Sequence, residues 1–287
     1  MPDVRKVQAI LRSHPTIEGA GVRLKRAFGF SEVPDMDPFL LLDDFHSENP
    51  MDYIAGFPWH PHRGIETVTY MIRGEVKHGD SMGNKGSINS GDIQWMTAGS
   101  GIIHQEMPQR ISGLMQGFQL WVNLPASHKM MKPRYRGITK DQVPEIIDEE
   151  GVRIVLISGA VNNVIGPVRD LVIDIEYLDV LVPVNRRFNH AVKKGYRAFA
   201  YVFGGSGFFD AKANNRAESE NLVIFGDGDE VMIRSDEKAL RLLLVSGKPI
   251  GEQVAWRGPI VMNTRKELDI AFEEYQNGTF IKENGLS

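Results

Sequence analysis

The sequence predicts an all-β protein of two small barrels or sandwiches in series, closed by one short C-terminal helix. Short runs rich in Val, Ile, Leu and aromatic residues recur along the chain, each bounded by Gly, Asn or Asp turn signals, which is the pattern of a barrel or sandwich. A length of 287 residues suits two ordinary domains, and the polar stretch from Ser127 to Glu150, punctuated by Pro133 and Pro144, is the natural crossing between them. The end of the chain reads differently. Thr264-Arg265-Lys266-Glu267 has capping-box spacing, Leu268, Ala271, Phe272 and Tyr275 recur at helical intervals, and Gly278 supplies the stop. We therefore place an N-terminal domain at 1–135 and a C-terminal domain with the helix at 136–287. The helix's apolar stripe is expected to pack back onto the fold, for instance on the first barrel.

Val4 to Leu11 alternates as a strand, and Gly19-Ala20-Gly21 turns the chain into a second one at Val22 to Phe28. Phe39 to Phe45 reads as a buried strand running into a polar loop. Ile65 to Ile72, Ile93 to Met96 and Leu114 to Val122 follow, separated by Gly83-Asn84-Lys85-Gly86, Ser90-Gly91-Asp92 and Thr97-Ala98-Gly99-Ser100-Gly101. In the second half Val152 to Ser158, Leu171 to Leu178, Ala198 to Val202, Leu222 to Phe225, Val231 to Ile233 and Leu240 to Val245 repeat the style. Only His190 lies there, with no histidine or carboxylate beside it at ligand spacing, so that half reads as a copy without the chemistry.

Composition narrows the function. With 33 basic against 37 acidic residues the net charge is −4, which gives no global electrostatic reason to hold nucleic acid, and none is expected. The absence of cysteine excludes disulfides, thiolate-bound zinc and iron–sulfur clusters, and fits the reducing cytoplasm, the expected compartment. No apolar run reaches the roughly 18 residues that span a bilayer, so no membrane association is expected.

The chemistry concentrates between Gly56 and Pro108, in His60-Pro61-His62 and His104-Gln105-Glu106. Residues two apart on a strand share a face, so two such strands side by side would aim three imidazoles and a carboxylate into one cavity. That donor set suits a divalent transition metal, with Fe(II) the natural candidate and Mn, Co, Ni, Cu and Zn its competitors. The competing reading is two pairs of structural histidines. Glu66, an even offset from His62, stays open as an alternative carboxylate on the same count. Gln116, Gln119 and Trp121 are candidates to line the cavity. His78 and Asp80 read either as partners orienting a ligand or as a pair flanking a turn.

The residues from Gly56 to Val68, from Gly91 to Gly99 and from Gly101 to Pro108 resemble the signature of the pirin family in the cupin superfamily. Asp37 to Phe45 and Gly258 to Thr264 are further points of resemblance. The likeness implies a bicupin, two cupin-type β-barrel (jelly-roll) domains packed together, with one iron in the N-terminal barrel. It implies His60, His62, His104 and Glu106 as the ligands and favours Glu106 over Glu66. Trp59 departs from the residue many relatives carry beside the first ligand, which narrows the entrance.

Two functions follow from the resemblance. One is an iron-dependent dioxygenase that opens a flavonol such as quercetin with O2. Glu106 is then both ligand and catalytic base, and Phe57, Trp59 and Met107 supply an apolar mouth for the flat rings. The alternative is a metal- or redox-dependent regulator that contacts a transcription factor or a metabolic enzyme through a basic patch around Arg23 and Arg63.

Overall fold

The computed structural model describes residues 2–32 and 35–282. The chain divides into two compact units, Met1–His14 with Asp141–Pro249 and Pro15–Lys140 with Ile250–Ser287. Each is a jelly roll of one seven-stranded and one four-stranded antiparallel sheet, as the strand pattern predicts. In the unit that begins at Pro15, the large sheet runs in the order Arg134–Ile138, Ile93–Thr97, Ile65–Arg73, Met115–Asn123, Phe39–Ser47, Val22–Phe28, His14–Glu18. Its small sheet is Phe57–His62, Ile102–Pro108, Glu75–Asp80, Lys85–Asn89. Val76 and Ile88 of the small sheet meet Val22, Met71 and Met115 of the large one in a shared apolar cluster, so the sheets close face to face.

Sequence dictates which strands are central. Ile65–Arg73 is buried along nearly its whole length, as a strand covered on both faces must be, and it lies third in its sheet. Ile102–Pro108 instead alternates strictly between buried and half-buried residues, so Ile102, His104, Glu106 and Pro108 all point one way.

The other unit uses Val7–Arg12 as the edge of its large sheet, paired with Asn221–Phe225. Its interior is filled with Val, Leu, Ile and Phe, among them Leu156, Val180, Phe209, Phe225 and Leu242. His190 finds a partner there that no local spacing reveals: Glu176, 2.6 Å away on another strand.

A cut into 1–135 and 136–287 therefore misplaces both termini. The first strand belongs with the second half because its backbone pairs there. Residues 250–282 belong with the first half for a different reason. The hairpin Ala255–Arg257/Ile260–Met262 and the helix Arg265–Gln276 form an apolar cluster with Ile103 and Met130. The helix has the expected capping box, with Thr264 accepting from the Glu267 N–H and the Glu267 carboxylate accepting from the Thr264 N–H at 2.8 Å. Leu268 and Ala271 are buried, and Gly278 follows at φ 73°, where a left-handed residue ends the helix. Among the described residues no helix is long and apolar enough to cross a membrane.

Candidate metal centre

His60 and His62 lie on Phe57–His62, and His104 on Ile102–Pro108; the two strands pair antiparallel with His60 directly opposite His104. Directly opposite residues share a face, so strand pairing alone brings the imidazoles together. Their ligand atoms all lie within 4.8 Å of one another. Each ring is turned by a bond to its outer nitrogen. His60 Nδ1 meets the Pro58 carbonyl at 2.8 Å, His62 Nδ1 the Pro259 carbonyl at 3.1 Å, and His104 Nδ1 the Tyr135 hydroxyl at 3.2 Å. A donor role for Nδ1 leaves Nε2 as a lone pair, the arrangement that orients metal-binding histidines.

The inner nitrogens converge. His60 Nε2 and His62 Nε2 are 3.0 Å apart, and His104 Nε2 is buried without any hydrogen-bond partner. Lone pairs that face each other inside a protein need something positive between them, and a buried orphan acceptor is costly. Burial also pulls His62 and His104 well below the usual histidine range, and His60 below it. All three are neutral imidazoles at neutral pH, the form a divalent metal binds. The donor set fits a metal.

Glu106 continues on the same face of the His104 strand, beside the histidine cluster rather than within it. Thr69 Oγ1 donates to its Oε1 at 3.2 Å and Gln119 Nε2 lies 3.4 Å from its Oε2. Burial pushes its carboxyl up to about 7, partly offset by the Thr69 bond. Such a group takes and returns a proton near neutrality.

Glu66 is placed elsewhere. Gly64 adopts φ 76° between the two strands, so His62 and Glu66 do not share one run and the even-offset argument fails. Glu66 is three residues from Thr69 on its strand, hence on the opposite face, and accepts from Thr97 Oγ1 at 2.5 Å.

A cavity of about 620 Å³ opens beside the cluster, lined by His60, His62, Thr69, Glu106, Gln119 and Trp121 among others. Phe57 and Trp59 line it as expected, with Trp59 52% exposed at the mouth. Met107 points the other way, and Pro108 takes its place in the wall. Gln116 likewise belongs to the opposite parity from Gln119 and Trp121 and is absent from the wall.

Asp80 is a turn staple, binding the Met82 and Asn84 N–H groups. His78 stands directly opposite Glu106 and stacks on Tyr135, with ring planes 8° apart. Tyr135 itself has no local motif to announce it. Trp256, Gly258 and Pro259 in the cavity wall come from the C-terminal hairpin; the resemblance marked Gly258 and Pro259, but nothing in the sequence placed them at the site. The basic patch is also corrected. Arg63 is 1% exposed, with Nε donating to the Ser100 carbonyl, Nη2 to the Phe280 carbonyl, and Nη1 paired with Glu274 at 2.7 Å. It braces the C-terminal segment against the site and offers no surface with Arg23, which is exposed and lies 3.7 Å from Asp52.

Comparison with known proteins agrees with the two-cupin fold. The family description "Pirin" matches residues 21–122 and "Pirin C-terminal cupin domain" matches 177–281. A pirin-like protein of Caulobacter vibrioides is 44% identical over 278 residues, covering 96% of this chain and 99% of the relative. Pirin-like protein 2 of Arabidopsis thaliana is 39% identical over 283 residues, covering 96% of this chain and 84% of the relative. The crystal structure of a quercetin 2,3-dioxygenase from Acinetobacter baumannii superposes with a TM-score of 0.90 at 31% identity, covering 96% of this chain and 98% of that one. The matches run through both cupin units and the histidine motifs, and the chain belongs to the pirin family.

Proposed function

We propose that this protein opens a flavonol such as quercetin with O2, using a metal held by His60, His62 and His104, with Glu106 completing the set and Fe(II) as the first choice. The observation that carries the reading is the convergence of three Nε2 atoms beside a buried, proton-ready Glu106 on one cavity. When bound, the metal supplies positions for the substrate's oxygens and for O2, and it lowers the pKa of the flavonol hydroxyl.

The chain's residues do the rest. Glu106 accepts the hydroxyl proton at a carboxylate oxygen. Thr69 and Gln119 fix that carboxylate from two sides, so it is aimed without reorganisation during the reaction. Thr69 Oγ1 also lies 2.6 Å from Gln119 Oε1, so its single hydroxyl proton is shared between that amide oxygen and Glu106, and the contact turns the amide nitrogen toward Glu106. Trp121 stands edge-on to His62 with ring centroids 5.1 Å apart and tilts against Trp256 at 6.0 Å, an aromatic wall for flat rings. The Pro259 carbonyl holds the His62 tautomer, so the C-terminal hairpin takes part in the site.

Aerobic loss of quercetin absorbance, followed with and without a strong chelator, tests the reading. Metal-dependent consumption is expected. Consumption unaffected by complete metal removal, or no consumption by metal-loaded protein, contradicts it.

A further inference from the structure

We propose that the cavity reads hydroxyl groups on the remote ring of a flat polyphenol through Asp43 and Arg26, an inference that rests on the flavonol reading above. Strand register sets it up. Thr69 is directly opposite Gln119, Gln119 opposite Asp43, and Asp43 opposite Arg26. Opposed residues share a face, and all four line the cavity. They form one polar row across four adjacent strands.

The flanking rows are apolar. On one side Leu41 is opposite Trp121, and on the other Phe45 is opposite Gly117. A Cβ on Gly117 would sit 2.5 Å from the Phe45 ring, so glycine is required for that ring to lie across the neighbouring strand. A flat ligand therefore meets apolar contact on both sides of a single polar stripe.

The two ends of the stripe differ in chemistry. At the near end Thr69 and Gln119 hold Glu106. At the far end Arg26 donates from Nε and Nη2 to the two Asp43 oxygens at 2.8 and 2.7 Å, and Nη2 lies 2.9 Å from Glu18. One guanidinium there sits between two carboxylates, and carboxylate oxygens suit phenolic O–H donors. Those Arg26 bonds use Nε and Nη2. Three strand spacings separate the ends, about 14 Å, the scale of a fused bicycle carrying a further aryl ring. A ligand hydroxyl that bonds to a carboxylate there adds about tenfold in affinity over an analogue that lacks it.

The test reads binding without turnover. Metal-loaded protein is titrated anaerobically, by quenching of tryptophan fluorescence, with a flavonol hydroxylated on its remote ring and with the analogue lacking those hydroxyls. Wild type is expected to bind the hydroxylated compound about tenfold tighter. Asp43→Asn and Arg26→Gln are each expected to bring that ratio close to one while affinity for the bare analogue changes little. Should Asp43→Asn fail to fold, Arg26→Gln carries the comparison. Equal wild-type affinities, or a ratio preserved in the folded variants, overturns the proposal and leaves the flavonol reading standing. Binding of neither compound overturns both.

Discussion

Glu106→Gln is expected to lower flavonol turnover by about a hundred- to ten-thousand-fold, the range that a positioned general base contributes. The amide keeps the shape of the carboxyl and its place between Thr69 and Gln119 but cannot accept the hydroxyl proton. Steady-state rates with metal content measured on the same samples check this. Turnover within a few-fold of wild type with metal still bound would remove Glu106 from the role of base. The variant also separates two functions: metal loss along with activity identifies Glu106 as a ligand, whereas metal retention by the three histidines leaves it as a base.

The second large effect is on stability. Arg63→Ala strips the buried partner from Glu274 and from the Ser100 and Phe280 carbonyls, and removes a cation from 4.2 Å above the Phe280 ring. Glu274 is half-buried and keeps Lys282 at 2.8 Å, so the loss falls on the Ser100 and Phe280 carbonyls, each deprived of a charged donor at about 1.5–3 kcal/mol. Lysine does not replace it, since a single ammonium lacks the planar fork that reaches three acceptors at once. All four tryptophans, Trp59, Trp95, Trp121 and Trp256, lie in the unit that carries the histidines. Denaturant unfolding followed by their fluorescence therefore reports on that unit, and the midpoint is expected to fall with little change in slope. A loss under about 1 kcal/mol would mean that Arg63 is not a brace.

That brace also explains why the sequence misled at Arg63. A charged residue beside His62 reads as surface because nothing local indicates that Glu274 and Phe280 cover it from more than two hundred residues away. Lys129 is a similar case. It is buried, and its ammonium group donates to Gly64 O, Asn123 Oδ1 and Val261 O at 2.9, 2.7 and 3.0 Å, tying the same C-terminal segment to the turn after His62. Such contacts depend on the C-terminal segment folding onto the first unit, which local periodicity does not encode.

What was legible followed parity and caps. The strand period put His60 with His62 and His104 with Glu106, and pairing of their two strands completed the triad. The capping box and helical spacing located the helix. Parity failed where the chain turned unseen, at Gly64 for Glu66, whereas Met107 and Gln116 obey it, their odd offsets from Glu106 and Gln119 placing them outside the wall. Tyr135, the partner of His104 Nδ1, lies on a strand whose neighbours Arg134 and Arg136 give no sign of a site. The exchanged termini were hidden for the same reason as the buried brace, since pairing of Val7–Arg12 with Asn221–Phe225 is a long-range choice.

Metal content tests the central claim most directly. Wild type and His62→Ala are purified side by side, dialysed extensively, and assayed for transition metals by elemental analysis. The account predicts about one divalent metal per wild-type chain, iron foremost, and its near-complete loss from His62→Ala, which removes one of three converging imidazoles. A wild-type protein that binds no metal after reconstitution, or a variant that retains wild-type occupancy, would contradict it.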